Sequence, residues 1–345
     1  MNTYRRLAFA LLLVFLLSAC VPLGGDSGGT DIVPDAVALG RNIYSNRFNV
    51  SGDTIYYNAP VRRSNGGELE DFHTRGLWSE DISDSSTREL LYEDFLSYLN
   101  IHGNTLYFIN GDNKITTFSQ DTKQGSLYFD ELHGDVLNLF IIDDMMYYIV
   151  EETGNNGLFA HNLRTNTSIK VTDDVWFKFL GSFQNSIVFI DYDGVLKAWE
   201  PESGTITEHG QFALDTGILH IMDDGVIIAS SLDISADAYD FFALTDNGES
   251  REHLFRLDVV PHSIAVTRDG IYYTVYASET ENYLFFYSFS SDKTTDLGEV
   301  IYPGFELVSD WLVFASDGGA EGIQLHNIID GKKLMIEEKP EVIYP

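Results

Sequence analysis

The chain has one cysteine in 345 residues, so it cannot form an internal disulfide, and a scaffold stapled by such bonds is excluded. Cationic side chains are scarce. Lys and Arg number 21 against 53 Asp and Glu, a formal charge of −32 at pH 7. Nucleic acid needs clustered cations to displace its counterions and is therefore excluded as a partner. No apolar run approaches the ~20 residues that span a bilayer; the stretch from Leu7 to Leu17 has 11. The nine histidines show no HxH or HxxxH pair, so zinc has no signal. No Walker-type loop or dinucleotide fingerprint occurs. No segment reads as a long amphipathic helix.

What the N-terminus does contain is an export signal. Arg5 and Arg6 precede the apolar run, and Leu17-Ser18-Ala19-Cys20 follows it. The run has the length of a signal-peptide core. Small residues before a cysteine expose the bond to a signal peptidase, and the thiol can accept diacylglycerol. The segment resembles the lipobox of bacterial lipoproteins, which implies a signal peptide over 1–19 and lipid attachment at Cys20. Removing 19 of the 345 residues leaves 326, with 19 basic side chains against 53 acidic.

Residues 20–40 then read as a lipidated cysteine and spacer. GDSGG (25–29) matches the string around the serine of trypsin-like proteases. Those enzymes place their histidine and aspartate before the serine, and no mature residue upstream of Ser27 could act as base. The Gly/Ser/Asp composition is that of a flexible tether. A spacer of this length reaches roughly 25 Å. That exceeds the ~8 Å over which salt screens repulsion between an acidic body and anionic lipid.

From residue 41 to 345 one phrase recurs, an Asp or Asn, one residue, then an apolar run rich in tyrosine. Its copies are DTIYY, NTLYF, DMMYY, NSIVF, DGVII, DGIYY and DWLVF. Their third residues, Ile55, Leu106, Met146, Ile187, Val226, Ile271 and Leu312, are spaced by 51, 40, 41, 39, 45 and 41. Each copy is a polar turn leading into a β-branched and aromatic strand. A strand-like segment precedes every copy. A third follows, clearest as TTFSQ, LFAHN, LKAWE, LFFYS and IQLHN, and then a fourth after turns such as DTKQG and PESG. Four strands repeated seven times predict an all-β fold, a seven-bladed β-propeller of four-stranded antiparallel blades. Ring closure is expected from residues 41–50 and 334–344.

These repeats, with YLFFYSF and the turn SSDKTT, are similar to bacterial propellers of the prolow-density-lipoprotein-receptor-like and TolB-like kind. The resemblance implies an exported protein, often lipid-anchored in such families, that binds other proteins or surface components. It carries no functional residue.

Long second-to-third loops are expected at 58–73, 150–157, 230–240, 275–283 and 315–322, on one face of the ring, where binding usually resides. Arg62 and Arg63 on the first could hold an anion; Tyr239, Phe241 and Phe242 could form a contact patch. DYDG (191–194) and NGDN (110–113) alternate oxygens as calcium loops do, without the terminal glutamate, so calcium is the one cofactor left open and none is expected. The sequence points to an extracytoplasmic, lipid-anchored scaffold or binding module with a protein or glycan partner. The alternatives are a solute- or carbohydrate-binding sensor and a carboxylate-based glycan lyase or hydrolase.

Overall fold

The computed structural model describes residues 48–343 apart from short internal segments, among them 70–73, 212–216, 222–225, 277–280, 316–321 and 337–341. Cys20, the signal segment and the spacer lie outside the described residues. Every described element is a strand or a turn.

Blade 3 shows the unit. Asp135–Ile142, Met145–Glu152, Asn155–Asn162 and Thr167–Thr172 pair antiparallel in chain order. Six such four-stranded sheets and a first sheet with two additions make seven blades, and innermost strands of neighbouring blades adjoin, as Phe48–Ser51 does Leu96–His102 on one side and Phe305–Val308 on the other. Blade 1 runs from Phe48–Ser51 to Asp84–Glu93. Its additions are Glu68–Leu69 and the C-terminal Val342–Ile343, which lies parallel to Arg62 and Arg63.

The reason for the repeated phrase is visible in the backbone. Its Asp or Asn sits in the first-to-second turn, and its carbonyl accepts an N–H from the residue that follows the third strand. Ile82 donates to Asp53, Gln120 to Asn104, Leu163 to Asp144, Phe289 to Asp269 and Ile328 to Asp310, at 2.7–3.0 Å. The third-to-fourth turn has its own signature. In five blades the last strand residue accepts an N–H from four residues on, and that later residue has positive φ: Lys123, Asn166, Gly204, Asp292 and Gly331. Left-handed backbone favours Gly, Asn and Asp, as most of these are.

Alternation then divides each second strand between two neighbours. In DMMYY, Tyr148 packs toward blade 2 and Tyr147 toward blade 4. The core is thus seven apolar interfaces, one for each adjacent pair of blades. The closing one joins Tyr57 and Trp78 of blade 1 to Val313 and Leu325 of blade 7. The C-terminal Val342–Ile343, which follows blade 7, also reaches across to the second strand of blade 1.

Blade 5 corrects one anchor. Ile227 faces blade 4 and pairs with Leu244, as Ile271 pairs with Tyr287 in blade 6, whereas Val226 faces the other way. The anchor is therefore Ile227. DGVII has three consecutive branched residues, so its pattern fits either parity, and a one-residue slip exchanges the two faces.

The residue opposite each anchor is buried in every blade: Glu80, Phe118, His161, Trp199, Leu244, Tyr287 and His326. Several carry polar tips that tie blades together. His161 Nε2 meets the Tyr128 hydroxyl from blade 2 at 2.8 Å, and its Nδ1 meets Ser168 Oγ at 2.8 Å. Nearer the axis, Asn49 Nδ2 donates to the Leu99 carbonyl at 3.0 Å and Asn100 Nδ2 to the Leu139 carbonyl at 3.3 Å.

Burial pushes the pKa of His161 below its ordinary 6.5, and burial followed by the charge of Lys333 does the same to His326. Unfolding frees both to protonate, so the unfolded state binds more protons and stability falls as pH drops below about 6.5. His161→Phe should flatten the loss of thermal stability between pH 7 and 5. It should cost about 1–2 kcal/mol at pH 8, because Tyr128 and Ser168 lose a partner; an unchanged pH slope rules His161 out as its source. Gly331 has φ 72 and open space around it. Gly331→Val should lower stability by about 1–2 kcal/mol from backbone strain alone, measured by denaturant unfolding, whereas Lys123→Gly at the matching position should not.

Candidate functional site

The antiparallel order gives the ring two dissimilar faces. First-to-second and third-to-fourth turns open on one. Second-to-third hairpins and the crossings between blades open on the other. The tight, self-bonded turns of the first face leave its backbone satisfied locally.

On the hairpin face, strands run further than the sequence suggests. The second strand of blade 3 ends at Glu152 and the third begins at Asn155. In blade 1 the second strand is Thr54–Asn65, so Arg62 and Arg63 lie in a strand rather than at a loop tip, bracketed by Val342–Ile343. A long β-ribbon with polar residues carries no apolar alternation to announce it. Tyr239 and Phe241 begin the third strand of blade 5, 4% and 0% exposed, in the interface with blade 6. Phe241 stacks on Phe255 at 4.4 Å. The expected contact patch of these rings is corrected to core, because both point inward from the same strand face.

The calcium-like turns are occupied by the protein itself. Asp191 is buried; its Oδ1 accepts N–H bonds from Asp193 and Val195 at 3.0 and 2.8 Å, and its Oδ2 meets Lys197 Nζ at 2.7 Å. Burial alone would raise the Asp191 pKa, but the bonds from Lys197 and the two N–H groups hold it below the usual carboxylate range. Asn110 Oδ1 likewise accepts from Asp112 and Lys114. Among the described residues no three His, Cys, Asp or Glu side chains converge as metal ligands.

What the hairpin face does offer is an apolar arc over blades 5 and 6. Leu232 is exposed on the second strand of blade 5, in register with Tyr239 and, through it, Leu257. The crossing that follows exposes Val259 and Val260. His262 then meets the edge of the Tyr276 ring, centroids 5.3 Å apart. Tyr276 ends the second strand of blade 6 and is 51% exposed. It pairs with Asn282, whose Nδ2 donates to the carbonyl of Ile301 at 3.4 Å. Ile301, in the crossing to blade 7, is 56% exposed.

Carboxylates lie at the same end of blade 5, on the face of its sheet that carries Phe242 rather than the one that carries Leu232 and Tyr239. Arg256 Nη2 meets Asp233 at 3.0 Å, its Nη1 meets Asp240 at 2.9 Å, and its Nε lies 3.6 Å from Asp258. The hydrogen bond to Asp233 raises the guanidinium pKa above its ordinary value. Glu281 and Glu299 are exposed at the same end of blade 6. Leu232 and Tyr276 fall in the stretches 230–240 and 275–283 expected on this face, but no residue of the arc was singled out by the sequence.

No family model matches the chain, and no curated protein sequence does. Solved structures do. The tricorn protease is 11% identical with a TM-score of 0.57, over 92% of this chain and 36% of that one. A puromycin-hydrolyzing peptidase of Mycobacterium tuberculosis is 12% identical with a TM-score of 0.58, over 93% of this chain and 57% of that one. An oligogalacturonate lyase in complex with manganese is 10% identical with a TM-score of 0.54, over 92% and 97%. The chain thus spans about a third of the tricorn protease and just over half of the peptidase. At these identities the likeness is one of fold: the chain is a seven-bladed β-propeller. The likeness to the low-density-lipoprotein-receptor kind finds no counterpart among these neighbours.

Lys197→Met should lower unfolding stability by about 3 kcal/mol, because it leaves the buried Asp191 carboxylate without its cation. Added calcium should not restore it in a thermal melt.

Proposed function

We propose that the chain is a lipid-anchored, extracytoplasmic binding propeller that holds a protein partner on its hairpin face. One observation carries this reading. Among the described residues, six exposed large apolar side chains lie on that face: Phe95, Leu232, Val259, Val260, Tyr276 and Ile301. Only Ile329 lies on the opposite one, and the other exposed apolar residues sit on outer strands. Phe95 lies apart, in the crossing from blade 1 to blade 2, and the other five fall on two adjacent blades; scattered apolar residues are normal on a surface, whereas such clustering marks a contact site.

A lipid on Cys20 supports the same reading by holding the ring at a membrane through a spacer. The peptidases and lyase among the structural neighbours fit an enzymatic alternative. The described residues offer no convergent metal ligands toward it.

Cross-linking of the full-length protein in its native membranes, followed by capture, tests both parts. Wild type should retain a reproducible protein partner. Cys20→Ser should leave the membrane fraction, and Tyr276→Ser with Ile301→Ser should stay anchored but lose the partner. Membrane retention of Cys20→Ser contradicts the anchor, and partner retention by the double variant contradicts the face.

A further inference from the structure

Resting on that reading, we infer that the arc over blades 5 and 6 takes a polypeptide segment whose apolar side chains are flanked by Lys or Arg. The arc supplies Leu232, Val259, Val260, Tyr276 and Ile301 as exposed apolar surface. Exposed carboxylates beside it are Asp258, Glu281 and Glu299, while Asp233 and Asp240 pair with Arg256 on the opposite face of the blade 5 sheet.

That cation is already committed. Arg256 contacts three of the five carboxylates, so it offers little to an anionic partner. Glu281 and Glu299 face water. A neutral apolar partner seated here would strip water from these carboxylates without replacing it. An anionic glycan, nucleic acid or anionic lipid surface would meet like charge. A cationic, apolar-tipped segment does neither: its apolar groups cover the arc, and its Lys or Arg pair with the exposed carboxylates beside it. The formal charge of −32 also steers such a partner inward from a distance.

A second feature asks for a donor. Asn282 is buried next to Tyr276 and Ile301; its Nδ2 is bonded to the Ile301 carbonyl, while its Oδ1 has no hydrogen-bond partner among the described residues. A backbone N–H or ammonium entering between Tyr276 and Ile301 would satisfy that oxygen. Buried acceptors are ordinarily paired.

The test uses lipidated full-length protein in discs of neutral phosphatidylcholine and short fluorescein-labelled peptides read by anisotropy. One peptide combines Lys with Leu and Trp, a second replaces its Lys by Glu, and a third replaces its Leu and Trp by Ser. The first should bind saturably and the others should not. Its affinity should fall about tenfold or more in Tyr276→Ser with Ile301→Ser, as for central contact residues. A similar fall is expected in Glu281→Lys with Glu299→Lys, and higher salt should weaken binding without abolishing it. All four side chains are exposed, so the melting temperatures should match wild type.

Equal binding to wild type and the apolar double variant overturns the inference, since attraction is then diffuse. Binding of the Glu peptide, or no binding of the Lys–Leu–Trp peptide, also overturns it. If native partner capture needs Tyr276 and Ile301 but survives the charge reversal, the protein-binding reading stands and the cationic segment falls. If capture ignores Tyr276 and Ile301, the underlying reading falls with it.

Discussion

The structure depends on packing between blades. A single four-stranded blade has two apolar faces and cannot cover either, so each must be buried by a neighbour. Seven interfaces satisfy all seven blades only if the ring closes. Here closure is made by side chains, with Tyr57, Trp78 and Val61 of blade 1 against Val313, Ile323 and Leu325 of blade 7. The C-terminal Val342–Ile343, which follows blade 7, adds a short backbone pairing with blade 1 across the seam. The Arg88 guanidinium lies 4.5 Å from the centre of the Trp78 ring there, and the Tyr57 hydroxyl donates to buried Glu80 at 2.9 Å. The seam is thus more polar than the interface of blades 4 and 5, which is aliphatic apart from Phe242 and the partly buried Trp176.

With folding energy placed between the blades, the two ends of the ring have different work. The turn end closes each unit through the phrase carbonyl and the left-handed residue of the outer turn. These bonds are local and leave little to offer a ligand. At the hairpin end the chain passes from blade to blade, and its crossings are held by side-chain amides. Asn58 reaches the Leu96 carbonyl, Asn156 the Val175 carbonyl and Asn282 the Ile301 carbonyl. Side chains along these crossings, such as Val259, Val260 and Ile301, can face water without weakening the core.

Much of this was legible before the structure, for reasons that differ by element. The seven phrases were found because a turn followed by an aromatic strand leaves both composition and spacing as signals. The third strand of blade 1, Thr74–Asp81, was not, because TRGLWSED lacks that cue. The left-handed position of the outer turns was half legible: Gly204 and Gly331 announce it, Lys123 does not. Loops were read too long because polar residues also fill β-ribbons, as at Arg62 and Arg63. Site residues were the least legible. Tyr239 and Tyr276 are both aromatic residues at the end of a strand near a hairpin. Only the packing of blade 6 onto blade 5 buries the first and leaves the second open.

The central claim is that one sector of one face does the binding. Its most direct test is hydrogen exchange on the full-length protein in its own membranes, compared with the same protein extracted from them. The account predicts slower exchange in the membrane at Leu257–His262 and around Tyr276 and Ile301. The outer turns at 162–166 and 327–331 should exchange alike in both. Protection confined to those outer turns, with the arc unchanged, would contradict it.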